Sequence, residues 1–209
     1  MPMVLAPCHA VRTVVDAEDL DALHDDEIDG VVWRRDLPPT FVPRLAGLVR
    51  NRVADSRFCL AVEEVRGHVE ALLGSWGVSV GPAEQWLAAE VDALARQFAR
   101  LLEISAVVVR IECVHDDACR KFHRDTLRAR LICTYSGPGT EYGAAGSADD
   151  PDVVHQVPTG SPILLKGKRW RGSASPTLLH RSPPILGTGL SRLLVVIDEA
   201  APSRLTPDA

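Results

Sequence analysis

The feature that most constrains the fold of this chain is a change of texture at Ser105. Upstream, apolar residues recur with helical spacing: Trp86, Leu87, Val91, Leu94, Phe98 and Leu101 fall on one face of a helix expected over residues 82–103, with Pro82 suited to its first turn. Two shorter helices are expected, one introduced by PPTF at 38–41 and running to about Asn51, the other from Glu63 to Ser75, and VVWRR at 31–35 reads as a short strand. Residues 1–30 are polar, acidic and weakly patterned. Downstream of Ser105 the sequence breaks into short β-branched runs separated by Gly and Pro, the pattern of an antiparallel sandwich or barrel. Strands are expected at 106–114, 121–125, 128–135, 152–157, 161–166, 177–181 and 191–198, with the Gly-rich stretch 136–150 as a long mobile loop. ILLK and LLVV lack polar alternation, which predicts strands buried on both faces.

The expected architecture is therefore α+β. Residues 1–105 form a mainly helical support region packed on one sheet, 106–198 a barrel core, and 199–209 a disordered tail. A chain of 209 residues with 46% hydrophobic content can bury a full core. No apolar run approaches the ~20 residues needed to span a bilayer, and the first residues lack a secretory leader's basic head and apolar stretch. These features predict no membrane partner and a cytoplasmic setting. The five cysteines are odd in number and scattered, so reduced thiols are expected rather than a disulfide framework. A net charge of −5 disfavours nucleic acid as a partner. One basic cluster, Lys166, Lys168, Arg169 and Arg171, leaves room for an anionic partner or reads as a solvated loop.

The residues that point to chemistry are His123 and Asp125 in KFHRD and His180 in LLHRSPP. Two positions apart on a strand, His123 and Asp125 leave the same face, and an antiparallel barrel can bring His180 beside them. Two imidazoles and one carboxylate form the facial set that leaves positions open on an octahedral Fe(II). Zn(II) and Mn(II) are compatible with the same donors. Arg192, twelve residues after His180 in SRLLVVID, offers a cation for a carboxylate ligand. Its alternative is an ion pair within the protein, with Asp198 or Glu112. A second metal set, Cys113, His115, Cys119 and His123, has the soft donors that suit Zn(II), but a spacing that matches no common zinc module. Otherwise Cys113 and Cys119 are packing residues. No G-x-S-x-G elbow or phosphate-binding Lys-Ser/Thr ending is present, which sets aside those hydrolase and nucleotide-binding classes.

H-x-D, a distal His and a basic residue about ten positions later resemble the Fe(II)/2-oxoglutarate-dependent oxygenase superfamily, here as His123, Asp125, His180 and Arg192. The order of motifs is similar to that of the prolyl-hydroxylase branch. More specifically, CRKFHRD, RLICTYSGPGTEY, LLKGKRW, LHRSPP and RLLVVID resemble a bacterial family defined as a domain of unknown function, over about residues 106–198.

The resemblance implies a double-stranded β-helix of the jelly-roll, cupin-like kind. It also implies Fe(II) held by His123, Asp125 and His180, 2-oxoglutarate as cosubstrate, and hydroxylation of a small-molecule or protein substrate. By the same resemblance Tyr135 and Arg192 would receive the keto acid, and Arg130, Arg181 and Ser182 would contact the metal ligands or the substrate. The alternatives are a non-catalytic cupin-like metal-binding protein in metal homeostasis or sensing, and an interaction domain whose histidines are structural.

Overall fold

The computed structural model describes residues 8–50, 55–77, 80–117, 119–146, 150–172 and 175–200. The tail expected at 199–209 lies, beyond Ala200, outside them. Ten strands alternate with three helices along the chain. The strands are β1 (Val11–Val14), β2 (Gly30–Trp33), β3 (Ser56–Ala61), β4 (Ala106–Val114), β5 (Ala129–Ser136), β6 (Glu141–Ala144), β7 (His155–Gln156), β8 (Pro162–Lys166), β9 (Leu178–Arg181) and β10 (Arg192–Glu199). The helices are α1 (Val42–Arg50), α2 (Val65–Ser75) and α3 (Pro82–Leu102). Among the described residues none of them is long and apolar enough to cross a membrane.

Two sheets result. The larger has the order β1-β2-β8-β5-β10-β4-β3, and the smaller β7-β6-β9. Apart from the parallel pair β1–β2, neighbouring strands are antiparallel. The expected double-stranded β-helix with helices on one sheet is the architecture found.

Strand periodicity explains the missing polar alternation. Val107, Val109, Ile111, Leu131, Cys133, Tyr135, Leu193, Val195 and Ile197 lie in the core shared with the helices. Their in-between neighbours Ile132, Leu194 and Val196 join Ile163, Leu165 and Leu178 in a second core between the sheets. The central sheet is thus buried on both faces, and each apolar side chain removed from water contributes roughly 1.5–3 kcal/mol.

Helix α3 covers the first face with Leu87, Val91, Leu94 and Phe98 fully buried. Trp86 sits between Phe41 and Tyr135, with ring centroids 5.7 and 6.0 Å away. At the start of α3 the Gly81 N–H donates to Glu84 Oε2 at 2.9 Å, satisfying a donor the helix itself cannot.

The expectation fails at several short elements. β1 lies in the weakly patterned N-terminal stretch, β3 lies between two expected helices, and β6 lies inside the expected Gly-rich loop. The N-terminal half therefore supplies three strands of the large sheet as well as its helices. Four-residue strands are too short to display a period, and Phe58, Cys59, Leu60 and Ala61 of β3 form an unbroken apolar run. The strand expected at 121–125 is not formed: only His123 pairs, as an isolated bridge to His180.

Candidate metal centre

The bridge between His123 and His180 is the starting point of the site. His123 N–H donates to the His180 carbonyl and His180 N–H to the His123 carbonyl, both at 3.0 Å. A reciprocal antiparallel pair sends both side chains to one face, and the imidazole centroids lie 4.6 Å apart. Asp125 is placed not by a strand but by an irregular segment, in which its carbonyl accepts from the distant Lys168 N–H at 2.9 Å. Gly167 makes this approach feasible, because a Cβ there would lie 2.1 Å from the Leu127 carbonyl oxygen and 3.0 Å from that of Asp125.

One donor atom from each of His123, Asp125 and His180 lies within 4.8 Å of the others. Asp125 Oδ2 and His180 Nε2 are 3.2 Å apart. Two ligands at right angles, each about 2.1 Å from one ion, would be about 3.0 Å apart. Both atoms are buried with no hydrogen-bond partner, a costly arrangement for a carboxylate and an imidazole unless a cation completes it. His123 Nδ1 lies 2.8 Å from the Lys121 carbonyl, so Nδ1 carries the proton and Nε2 is left as the donor. The residues present therefore fit a divalent metal.

The protonation states fit as well. Burial alone would raise the Asp125 carboxyl, but His180, Arg130 and His123 outweigh it and hold it below the usual carboxylate range. Burial lowers His180 against the pull of Asp125, which favours a neutral imidazole, the form that ligates.

Arg130 on β5 orients the carboxylate. Its Nη1 donates to Asp125 Oδ1 at 2.6 Å, and its Nε and Nη2 form a fork on Asp198 at 2.7 and 2.8 Å. Asp198 and Arg130 are register partners across β10 and β5. One Asp125 oxygen is thereby tied to the protein, and the orphaned Oδ2 is left free to ligate a cation.

His123 and His180 line a cavity of about 130 Å3 with Arg110, Glu112, Cys119, Arg130, Ile132, Thr140, Arg181, Ser182, Arg192, Leu194 and Val196. That volume is an order of magnitude more than one water needs. Arg192 is 1% exposed, and among the described residues it donates only to neutral oxygens: Pro138 O at 2.8 Å, Ser182 Oγ at 2.9 Å, Thr134 Oγ1 at 3.2 Å and Thr140 Oγ1 at 3.4 Å.

Burial pushes the Arg192 guanidinium down to about 10, with Glu112 and Glu141 only partly offsetting it. It stays charged at neutral pH, and a buried cation bonded to neutral oxygens favours an anion beside it. Neither protein carboxylate considered for it is its partner: Asp198 serves Arg130, and Glu112 holds Arg110 at 2.9 Å. Gly137, at φ +79° with no room for a Cβ beside the Ser191 carbonyl, lets the chain close over the start of β10.

Three sequence expectations need correction. Tyr135 does not reach the cavity: it is fully buried on the helix side of β5, edge-on to Trp86, with its hydroxyl 3.4 Å from Glu90. Arg130 and Tyr135 are five residues apart on one strand, so alternation sends them to opposite faces. Thr134 takes the position beside Arg192. The mixed thiolate and imidazole set is likewise not assembled, because Cys113 packs toward the helices and the His115 ring meets Ser191 at 2.9 Å. Cys119, expected as a packing residue, is exposed at the cavity mouth with φ +57°.

Of the remaining residues, Arg181 pairs with Glu141 at 2.6 Å and stacks 4.3 Å over Phe122. In the basic cluster, Lys166 is buried, donating to the Asp25 carbonyl at 2.8 Å, while Lys168, Arg169 and Arg171 are exposed.

The two-sheet β-helix thus carries a His-Asp-His set beside a buried arginine. The chain belongs to the family described as "Protein of unknown function (DUF1826)", whose model matches residues 15–198. No curated protein matches it in sequence.

Its structure is similar to a rice dioxygenase for auxin oxidation, at a TM-score of 0.53 and 14% identity, over 92% of this chain and 84% of that one. It is also similar to the Arabidopsis thaliana dioxygenase for auxin oxidation 1, solved with 2-oxoglutarate, at a TM-score of 0.56 and 10% identity, over 92% and 93% of the two chains. A third similar structure is that of a full-length Neurospora crassa protein in complex with alpha-ketoglutarate and 5-formyluracil, at a TM-score of 0.50 and 10% identity, over 93% and 87%. At these identities the likeness concerns the fold.

Proposed function

We propose that this protein is an Fe(II)/2-oxoglutarate-dependent oxygenase. His123, Asp125 and His180 hold the iron, and Arg192 receives the far carboxylate of the keto acid. The observation that carries the reading is Arg192: a fully buried guanidinium, facing the same cavity as His123 and His180, bonded to four neutral oxygens and to no carboxylate among the described residues. A buried cation of this kind wants an anion, and a dicarboxylate that also chelates a metal supplies one. That two structures of the same fold contain 2-oxoglutarate or alpha-ketoglutarate supports this choice of ligand.

When bound, iron and keto acid would supply, with dioxygen as the oxidant, oxidative decarboxylation of the keto acid to succinate and CO2 coupled to hydroxylation of a C–H bond; the protein supplies positioning and exclusion of water. Arg130 fixes Asp125 in one orientation. Ser182, Thr134 and Thr140 hold the Arg192 fork in place, and Ile132, Leu194 and Val196 line the cavity with apolar surface. The free cysteines suit the reducing cytoplasm we propose as its setting.

Anaerobic addition of Fe(II) and then 2-oxoglutarate should produce a visible metal-to-ligand charge-transfer band. Arg192→Ala should weaken keto-acid binding at least tenfold while leaving Fe(II) bound. If the wild-type protein binds Fe(II) but shows neither the band nor keto-acid-dependent oxygen consumption, the oxygenase reading fails and a passive metal-binding protein is the better account.

A further inference from the structure

The cavity has a second guanidinium pole that the keto acid leaves unused. Arg110 on β4 is the register partner of Val196, four residues along β10 from Arg192, a separation of roughly 13 Å along the strand. The metal donors are tied to both poles. Ser182, two residues after His180, bonds Arg192, whereas Asp125 is bonded through Arg130 to Asp198, which lies 3.9 Å from Arg110 Nη2.

Glu112 holds Arg110 by Nη1 alone, at 2.9 Å. Nη2 has only the long approach to Asp198, and Nε is buried with no hydrogen-bond partner. The Nε–Nη2 edge is the side of a guanidinium that matches a carboxylate with two parallel hydrogen bonds, and here it has no such partner.

The surroundings add to the demand for an anion. Arg57 on β3 lies directly opposite Arg110 in the strand register. Like charges so placed repel, and Arg57 is exposed with no ion pair among the described residues. The other cavity cations are committed elsewhere: Arg130 to Asp125 and Asp198, Arg181 to Glu141, and Arg192, under the proposed function, to the keto acid.

We infer that the substrate is a small organic acid whose carboxylate is received by Arg110, with Glu112 orienting the guanidinium and Arg57 adding attraction from the neighbouring strand. This inference rests on the proposed oxygenase reading only in assigning Arg192 to the keto acid.

The test titrates straight-chain monocarboxylates of three to eight carbons, and the matching primary amides, into full-length protein loaded anaerobically with Fe(II) and saturating 2-oxoglutarate. Binding is read by calorimetry and by a shift of the charge-transfer band. At least one acid should bind ten times more tightly than its amide. Arg110→Gln should erase that preference while holding the 2-oxoglutarate dissociation constant within twofold, and Arg110→Lys should restore part of it.

Acids that bind no better than their amides, or a panel that does not bind at all, overturn the inference. So does an Arg110→Gln variant that keeps the preference. Loss of 2-oxoglutarate itself in Arg110→Gln but not in Arg192→Ala would make Arg110 the keto-acid receiver and overturn it too. If no keto acid binds the wild type, the oxygenase reading falls separately, and the acid-against-amide comparison on Fe(II)-loaded protein still decides the role of Arg110.

Discussion

The two faces of the large sheet are built from the same strands and do opposite work. On β5, Leu131, Cys133 and Tyr135 point into the helices, while Arg130 and Ile132 line the cavity and Thr134 bonds Arg192 on that same face; on β10 the split is Leu193, Val195 and Ile197 against Arg192, Leu194 and Val196. The helix face has its own polar residues, and they satisfy one another. Arg35 bonds Glu90 and the Gly160 carbonyl, and the Cys133 thiol, pushed up to about 11 chiefly by burial, stays neutral beneath them.

The cavity face instead keeps unsatisfied atoms at Asp125 Oδ2, His180 Nε2 and Arg110 Nε. A fold tolerates such atoms where something from outside completes them. Burial is thus a poor guide to role in this sheet, whereas unsatisfied valence separates the faces.

That contrast can be broken most directly by one substitution on each face. His180→Ala should abolish stoichiometric binding of Fe(II) or Mn(II) in anaerobic calorimetry, with the unfolding midpoint of the metal-free protein little changed. Phe98→Ala, on the helix face, should cost about 3–5 kcal/mol in denaturant unfolding and leave the metal stoichiometry of the folded fraction intact. If Phe98→Ala loses metal while still folded, or His180→Ala unfolds the protein, the division of labour between the faces is wrong.

A finer test concerns the residue that ties the metal ligand to the sheet. Arg130→Gln removes the charge that orients Asp125, and metal affinity should fall about 10–100-fold, the usual effect of losing a partner of a ligand. A drop in stability with unchanged affinity would assign Arg130 to the scaffold alone. The smallest effects separate neighbours on one strand. Tyr135→Phe gives up a long contact to Glu90 and should cost less than about 1 kcal/mol, with no change in 2-oxoglutarate affinity. Thr134→Val, one residue away, should weaken the keto acid measurably in the same titration. The reverse result would return Tyr135 to the site.

Much of the architecture was legible because it is periodic. The 3.6-residue stripe of α3 and the two-residue period of the long strands survive any context, so their existence and type follow from local sequence. β1, β3 and β6 were not legible, since elements of four to six residues take their identity from the strands they pair with.

The donor set was readable for a different reason. His123 and His180 are two of only seven histidines, Asp125 is an acid in an otherwise basic run, and their order along the chain resembles a known motif. Their placement was not readable. Asp125 was expected on the strand face of His123, yet an irregular segment bonded to Lys168 carries it, and of that segment only His123 pairs with a strand, as a bridge to His180 of β9.

By itself, then, the sequence determined which chemical groups the protein brings: two imidazoles, a carboxylate and a surplus of arginines, on a chain whose periods dictate helices packed on a doubly buried sheet. Only the tertiary structure decided how they divide. Arg130 clamps Asp125, Arg192 is left with neutral partners, Arg110 keeps a free edge, and Tyr135 goes to the helices while Thr134 meets Arg192. The physical reason is that side-chain direction depends on register, and register here is set by partners far away in sequence. It includes a shift between Leu193 and Leu194, where β10 crosses β5 just after Arg192. A local pattern fixes that strand residues alternate, whereas only the pairing of distant strands fixes which face looks at the metal.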